Sequence, residues 1–277
     1  MATTWYLGPP GDLRALHCPE RNIDITEVRF GGLHQSLGGA RTMDITGIKA
    51  QYSFNWNYLE ATDYKWLRAL HTRLIRGPHR LIDPLKVNRL TIGASSSDIT
   101  PHRWPYFVQT DGTTLEYAAD YPTGILGDKS VRWFNRTASS IIALDAIKMT
   151  DVFPLETVTV SAYLKGESAV SVGMYIAWYD KDGVFLSNSS VSTHSVTTSW
   201  ARYSATKTAP ANAVLGVMSM TSTATTAFRI AAAQFETGSS ATTWEEGGAN
   251  PMVLVDQLTT VTPRYPVHNI AMTLLEA

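Results

Sequence analysis

The chain has little cysteine and no surplus of charge. Its 277 residues include one cysteine, Cys18, so it can form neither an intramolecular disulfide nor a cysteine-based zinc site. Lysine and arginine total 23 against 24 aspartate and glutamate residues, which gives a net charge of -1. Because this balance leaves no broad basic surface, we expect neither nucleic acid nor an anionic membrane as a partner.

Long apolar runs are also missing. No segment approaches the roughly 18 consecutive apolar residues of a membrane span. Residues 1–10 have neither the basic stretch nor the apolar run of a signal peptide. We therefore expect a soluble protein that is made in the cytosol and does not insert into a membrane.

The middle of the chain is poor in charge and rich in serine, threonine and alanine. No acidic residue occurs from Gly183 to Phe235, and no helical periodicity is found in this region. Turn signals such as Asp182-Gly183 separate short strand candidates, a pattern typical of an antiparallel sandwich. The candidates are residues 130–134, 157–164, 170–179, 201–206, 214–220 and 228–235. We predict a jelly-roll-like β-sandwich over residues 101–250.

The sequence patterns on either side of this region also predict strands. Residues 23–30 and 52–58 alternate apolar and polar side chains with a period of two. The carboxy-terminal runs 252–258 and 265–276 are strand-like but too short to bury their apolar faces without partners. The amino-terminal segment offers such partners, so we expect the two ends of the chain to fold together.

One packed helix is predicted within the amino-terminal segment. It begins at a cap on Thr62 and ends at Gly77-Pro78. Its apolar stripe is formed by Tyr64, Leu67, Leu70, Leu74 and Ile75. The predicted fold class is therefore mainly β, with a discontinuous domain of residues 1–100 and 251–277 that the sandwich interrupts.

Several short sequence segments of the flanking regions resemble segments of minor tail proteins of actinobacterial tailed phages. They are WYLGPPGDLRAL from Trp5, FGGLHQS from Phe30, the segment 58–84 and TLLE from Thr273. The layout is similar to the distal tail proteins of long-tailed phages, whose small β domain forms a ring and carries inserted sandwiches. The resemblance implies a non-enzymatic protein of the virion tail, assembled in the host cytoplasm as a ring, expected to be hexameric, between tail tube and tail tip proteins.

The same resemblance suggests which residues make contacts in the ring. One candidate surface is the glycine-rich loop, represented by Phe30, Gly31, Gly32 and Arg41. The other is the basic end of the predicted helix, with Arg68, Arg73, Arg76 and Arg80. Each set is equally compatible with a solvated surface.

The predicted sandwich resembles carbohydrate-binding modules. The sequence segments on which this resemblance rests are VSAYLKG from Val160, WYDKDG from Trp178, TSWARYS from Thr198, APANA from Ala209 and AQFETGS from Ala233. The resemblance implies a module that contacts the cell-wall glycan of the host. Such modules also serve as structural decoration on tail proteins, so a purely structural role stays open.

A sugar ring has one apolar face and a polar rim, so its site needs an exposed aromatic side chain beside hydrogen-bonding groups. In residues 170–179, alternation assigns Tyr175 and Tyr179 to the face opposite the core, and in residues 158–164 it does the same for Tyr163. We predict these three tyrosines as the candidate platform and Arg132 as a hydrogen-bond donor. The alternative for each tyrosine is an interface or surface aromatic, and Trp200 and Trp244 are assigned mainly to packing.

No catalytic residue, metal site or cofactor is expected. Asp180 and Asp182 lie in a turn that a hairpin favours anyway, and no nucleophile elbow of the Gly-x-Ser-x-Gly type occurs. The histidines are dispersed along the sequence, so no histidine metal site is expected. A structural calcium in the sandwich stays open. The alternatives are a monomeric glycan-binding protein, an accessory module of a cell-wall-active enzyme, or a hydrolase with two acids in one pocket.

Overall fold

The computed structural model describes residues 4–17, 19, 23–44, 47–99 and 106–277. The predicted fold class is confirmed, because the chain is mainly β and its paired strands are antiparallel. The helices are α1 (Ala61–His71) and α2 (Ile92–Ser95). The strands are β1 (Tyr6–Gly8), β2 (Arg14–Ala15), β3 (Asp24–Phe30), β4 (Leu33–Gln35), β5 (Arg41–Met43), β6 (Gly47–Leu59), β7 (His79–Ile82), β8 (Phe107–Gln109), β9 (Thr114–Ala118), β10 (Ser130–Phe134), β11 (Ile141–Leu144), β12 (Thr150–Asp151), β13 (Thr157–Gly166), β14 (Val170–Tyr179), β15 (Phe185–Asn188), β16 (Ser192–Val196), β17 (Ala201–Thr208), β18 (Leu215–Thr221), β19 (Phe228–Thr237), β20 (Met252–Arg264) and β21 (Val267–Glu276).

The chain divides into two compact units. The flanking unit contains Thr4–Leu81 and Pro251–Ala277, and the sandwich unit contains Ile82–Asn250. Residues 82–99, which the sequence analysis assigned to the flanking domain, therefore belong to the sandwich. The reason is packing, because Leu90 lies in the sandwich core and the Asn88 side chain donates to the carbonyl of Ala233 at 2.9 Å.

The flanking unit is built on a seven-stranded sheet in the order β2-β1-β7-β20-β21-β6-β3. Alternation on β6 buries Tyr52, Phe54 and Trp56 on one face, where they form a core with Met272 of β21 and Leu67 of α1. The two ends of the chain thus share one hydrophobic core.

Helix α1 is shorter than predicted. It begins at Ala61 after Glu60, so Thr62 lies inside the first turn and does not cap the helix. It ends before Arg73, whose left-handed backbone (φ 59°) terminates the helix in the manner of a C′ residue. Leu74 consequently lies beyond the helix and is exposed. Within the described residues, neither helix has the length and apolar character needed to cross a membrane.

Strand β3 is the edge strand of the flanking sheet, and all seven of its residues are exposed. The adjoining hairpin of β4 and β5 is exposed as well. Large apolar side chains in this region that face solvent are Ile25, Val28, Phe30, Leu33, Leu37, Met43 and Ile48. A run of exposed apolar residues along an unpaired edge is typical of a surface that pairs with another chain.

The sandwich unit contains two sheets. One has five strands in the order β17-β13-β19-β10-β9, and the other runs β15-β14-β18-β11-β8, with β12 paired to β18 and β16 paired to β14. The predicted alternation on β14 is correct, because Val170, Val172, Met174, Ile176 and Trp178 all lie in the core. These side chains pack against residues such as Trp133 and Phe235 of the five-stranded sheet, and the opposite face of each sheet is its outer face.

Candidate functional site

The four residues predicted for glycan binding lie on two different sheets. Tyr163 on β13 and Arg132 on β10 share the outer face of the five-stranded sheet, with β19 between them. Tyr175 and Tyr179 lie on β14, on the outer face of the other sheet. The four residues therefore cannot form one platform.

Tyr175 is unsuitable as a stacking surface. Only 6% of it is exposed, and burial raises the pKa of its phenol, while a hydrogen bond to Ser219 opposes that rise. Tyr179 is partly exposed and packs edge-on against Phe185, with ring centroids 5.7 Å apart. The prediction that Tyr175 is an exposed platform is wrong, because Tyr175 is buried although it lies on the face opposite the core.

Tyr163 lies between two neighbouring strands on a partly open surface. Its direct neighbours across the sheet are Arg202 on β17 and Ala231 on β19. The Arg202 guanidinium lies 6.0 Å from the centroid of the Tyr163 ring, a cation–π distance. Tyr121 lies in the loop after β9. Burial raises the pKa of its phenol to about 12, and the charges of Asp128 and of the nearby Tyr163 contribute to the rise.

Asp120 anchors the edge of this surface. Its carboxylate accepts hydrogen bonds from Lys165 Nζ at 2.6 Å and from Trp200 Nε1 at 3.0 Å, and it lies 3.6 Å from Arg229. These interactions, led by the hydrogen bond from Lys165, lower the pKa of Asp120. The backbone carbonyl of Asp120 also accepts a bond from Ser130 Oγ at 2.7 Å, so the loop that bears it is held to the sheet.

Trp200 makes a hydrogen bond in addition to the packing assigned to it. Its indole N–H is bonded to Asp120, and its ring is only partly buried beside the strand that carries Arg202. A tryptophan fixed by one edge, with part of its ring exposed, can present an apolar face to a ligand.

Arg132 is held in place by two carboxylates. Its Nη1 donates to Glu116 at 2.6 Å and its Nε donates to Glu167 at 2.5 Å. Its guanidinium lies 4.5 Å from the centroid of the Phe134 ring. The two acids raise the pKa of Arg132 further above its ordinary value, and Arg132 in turn lowers the pKa of Glu167.

We call this surface the Tyr163 face. Its aromatic members are Tyr121, Tyr163 and Trp200, its cations are Arg132, Lys165, Arg202 and Arg229, and its acids are Glu116, Asp120 and Glu167. Hydrogen bonds from cationic partners lower the pKa of Asp120 and the pKa of Glu167, whereas the general acid of a glycosidase needs a raised pKa.

The remainder of the same outer face is covered by the chain after β19. Thr242 bonds to Glu236 through its backbone N–H at 3.0 Å and through its hydroxyl at 2.7 Å, and its carbonyl accepts a bond from Arg202. Trp244 Nε1 donates to the carbonyl of Ala233 at 3.2 Å. The open part of the sheet is therefore the part around Tyr163.

The sequence analysis missed Tyr121, Asp120 and Arg202 as site residues. Arg202 and Trp200 lie within the TSWARYS segment, one of those that resemble carbohydrate-binding modules, so the sequence did contain a signal for them. Their use at the site depends on the antiparallel register of β13 and β17, which sets Tyr163 opposite Arg202. Tyr121 and Asp120 lie in a loop whose sequence has no periodicity to interpret.

The candidate assembly residues of the flanking unit lie mostly on its surface. Phe30, Gly31 and Arg41 are exposed in or beside β3, β4 and β5, and Gly32 beside them is half-buried. Arg68, Arg73 and Arg76 are exposed on or after α1. Arg80 is different, because only 8% of it is exposed. It lies on β7, an interior strand of the sheet, opposite Met252 of β20. Arg80 is therefore not available as a surface contact.

Metal ligands are not grouped in the described part of the chain. No cluster of three or more histidine, cysteine, aspartate or glutamate side chains there could hold a metal ion.

No protein-family model matches this chain, and no curated protein sequence matches it. Solved structures similar to it include the enzymatically active domain of tailspike protein 4 of bacteriophage CBA120, at 15% identity and a TM-score of 0.44, covering 55% of this chain and 22% of that one. Another is the CBM22-1 xylan-binding domain of Xyn10C from Paenibacillus barcinonensis, at 15% identity and a TM-score of 0.38, covering 50% of this chain and 88% of that one. A third is a structure described as "CBM4 structure and function", at 12% identity and a TM-score of 0.38, covering 53% of this chain and 98% of that one. These likenesses assign no function to this chain.

Proposed function

We propose that this protein binds a glycan through the Tyr163 face of its sandwich unit, as a component of a phage tail whose flanking unit assembles with copies of itself. The observation that carries the proposal is the grouping of three aromatic rings with fixed donors and acceptors on one open face. That grouping supplies both halves of sugar recognition, a surface for the apolar face of the ring and partners for its hydroxyls.

Preorganisation supports binding at this face. Lys165, Asp120 and Arg132 are already fixed by ion pairs and hydrogen bonds, so a ligand need not order these long side chains when it binds. Side chains that are ordered in advance reduce the entropy lost on association. Four cations interleave with three acids, and this near balance favours a neutral glycan over a polyanion.

Glycan binding is tested with the full-length protein against purified bacterial cell-wall polysaccharides, by calorimetry or on an array. Replacing Tyr163 by alanine removes one stacking surface, worth about 1.5–3 kcal/mol if the ring is fully covered by ligand. We expect affinity to fall roughly tenfold to a hundredfold. Tyr265→Ala is the control, because Tyr265 is an exposed tyrosine of the flanking unit. Equal binding by wild type and Tyr163→Ala would contradict the proposal.

Assembly of the flanking unit is supported by the exposed edge strand β3 and by its apolar side chains, of which Phe30 is one. Strands of neighbouring copies that pair around a rotation axis close a ring without leaving a growing edge. Several weak glycan sites on one ring would gain avidity. The resemblance of the flanking segments to phage tail proteins supports a place in the virion tail, next to tube and tip proteins.

Electron microscopy and a mass measurement in solution test assembly. We expect closed rings for the wild type and smaller species for Phe30→Asp, because a buried carboxylate at an interface is strongly unfavourable. Val184→Asp, at an exposed apolar residue of the sandwich unit, serves as the control. A wild type that stays monomeric alone and with tail tube protein, yet binds cell-wall polysaccharide, would favour the free glycan-binding protein instead.

A further inference from the structure

Three cations of the Tyr163 face form a row across its strands. Lys165 on β13 is the direct cross-strand partner of Arg229 on β19, and Arg229 is the direct partner of Arg132 on β10. Neighbouring strands lie about 4.8 Å apart, and like charges directly opposite one another are destabilising. A row of three positive charges therefore attracts anions unless negative charges of the protein lie beside it.

Two acids lie between the cations of this row. Asp120 accepts a hydrogen bond from Lys165 at 2.6 Å and lies 3.6 Å from Arg229. Glu167 accepts a hydrogen bond from Arg132 at 2.5 Å, which lowers the pKa of Glu167, and the charge of Arg229 adds to that effect. Each of these two acids therefore compensates two neighbouring cations.

A ligand on this face can reach both signs of charge. The side chains of Asp120 and Glu167 are each 37% exposed, and about a quarter of each cationic side chain in the row is exposed. An ordinary carboxyl ionises near about pH 4, and hydrogen bonds from Lys165 and Arg132 lower the pKa of these two acids further. Both acids are therefore negatively charged at neutral pH.

Neutral and acidic sugars interact differently with such a row. A neutral hydroxyl can accept from a cation and donate to a carboxylate, and an ionised carboxylate can accept about four hydrogen bonds. Asp120 uses its two oxygens for Lys165 and Trp200, so acceptor positions are left for sugar hydroxyls. The carboxylate of an acidic sugar has no proton to donate, and close to Asp120 or Glu167 it is repelled.

We propose that Asp120 and Glu167 determine the specificity of the Tyr163 face, by admitting neutral glycans and rejecting acidic ones. This inference rests on the proposed glycan binding and names the residues that select its ligand. Without the two acids, the same three cations would form a site for anions.

The test uses the full-length protein, a purified neutral cell-wall polysaccharide, and the same polysaccharide after its primary hydroxyls have been oxidised to carboxylates. Calorimetry measures the affinity of each variant for both forms, and the wild type should bind the oxidised form more weakly. Asp120→Asn keeps an oxygen acceptor for the Trp200 N–H but removes the charge. We expect the ratio of acidic to neutral affinity to rise roughly tenfold, and Glu167→Gln should change it in the same direction.

Salt provides a second readout that a purely structural role of the two acids would not change. The Debye length falls from about 10 Å at 0.1 M to about 3 Å at 1 M ionic strength. The binding of the oxidised form that either variant gains should therefore be lost at high salt. Both acids are partly exposed, so we expect the fold to tolerate either substitution.

Two controls separate this selection from glycan binding itself. Asp182→Asn removes the same charge from an exposed turn between β14 and β15 of the other sheet, so the ratio should stay unchanged. Tyr163→Ala removes apolar surface and no charge, so it should weaken the binding of both forms and leave the ratio unchanged.

The possible failures are distinguishable. If the wild type binds neither form, glycan binding and the selection are both overturned. If the wild type binds both forms equally, or if Asp120→Asn and Glu167→Gln leave the ratio unchanged, only the selection is overturned. A shift for Asp182→Asn as large as that for Asp120→Asn would also overturn it, because the effect would then follow net charge rather than the row.

Discussion

Replacing Glu156 by glutamine removes the charge that balances a buried arginine. Glu156 accepts two hydrogen bonds from Arg89, at 2.9 and 3.0 Å, one from the Thr237 hydroxyl at 2.6 Å and one from the Phe153 N–H at 2.8 Å. The side chains of Arg89 and Glu156 are 4% and 9% exposed, so neither charge is well solvated. Breaking such a pair from one side destabilises a protein by about 3–5 kcal/mol, because the remaining charge stays buried.

The sandwich unit is the part of the chain that should lose this stability. For a unit of its size, ~1 kcal/mol lowers the melting temperature by about 2–4 °C, so we expect a decrease of roughly 6–20 °C. The assay is calorimetric unfolding of the full-length protein, in which the two units can unfold in separate transitions. Only the transition of the sandwich unit should move.

Glu116→Gln is the matched control. Glu116 pairs with Arg132 at 2.6 Å, but its side chain is 46% exposed, and exposed pairs contribute about 0–1 kcal/mol. If Glu156→Gln proves as mild as Glu116→Gln, the buried Arg89–Glu156 pair does not carry the cost of about 3–5 kcal/mol on which this prediction rests.

Two further predictions concern buried charge. The folded pKa of Asp83 is raised by burial, so wild-type stability should fall as pH rises from about 4 through that raised value, since the unfolded chain loses its proton first. Asp83→Asn should therefore gain stability relative to the wild type as pH rises, and denaturant unfolding of both proteins at pH 4 and pH 7 checks this. A difference in unfolding free energy between variant and wild type that stays the same or moves in favour of the wild type from pH 4 to pH 7 would contradict it. Arg136 is 4% exposed, lies 4.7 Å from the rings of both Trp133 and Phe228, and has two nitrogens without partners among the described residues. Arg136→Met should be neutral or stabilising in thermal unfolding, and a loss of several kcal/mol would show that its charge is needed.

Much of the sandwich could be predicted because strand alternation is a local property. Side chains on a strand point to alternate faces, so the pattern of residues 170–179 is enough to separate Trp178 from Tyr179. The structure has strands β10 and β14 with the predicted bounds. The position of Tyr163 opposite the core follows from the same rule.

The site itself was only partly predictable. Alternation gives the face of a strand but not the sheet to which the strand belongs, so Tyr163 and Tyr175 looked equivalent. The same limit explains Arg80, which seemed to continue the basic helix end but lies on a buried strand. The boundary near residue 100 was placed where composition changes, whereas the structural boundary follows the packing of Leu90.

By itself, the sequence determined the mainly β character, the core faces of the long strands and the pairing of the two ends of the chain, because these depend on periodicity and on the need to bury apolar faces. Only the tertiary structure decided that Tyr163, Trp200 and Asp120 meet on one face and that three cations form a row across its strands. Those arrangements depend on the register of strands distant in sequence and on the path of loops, and neither is encoded in a local pattern.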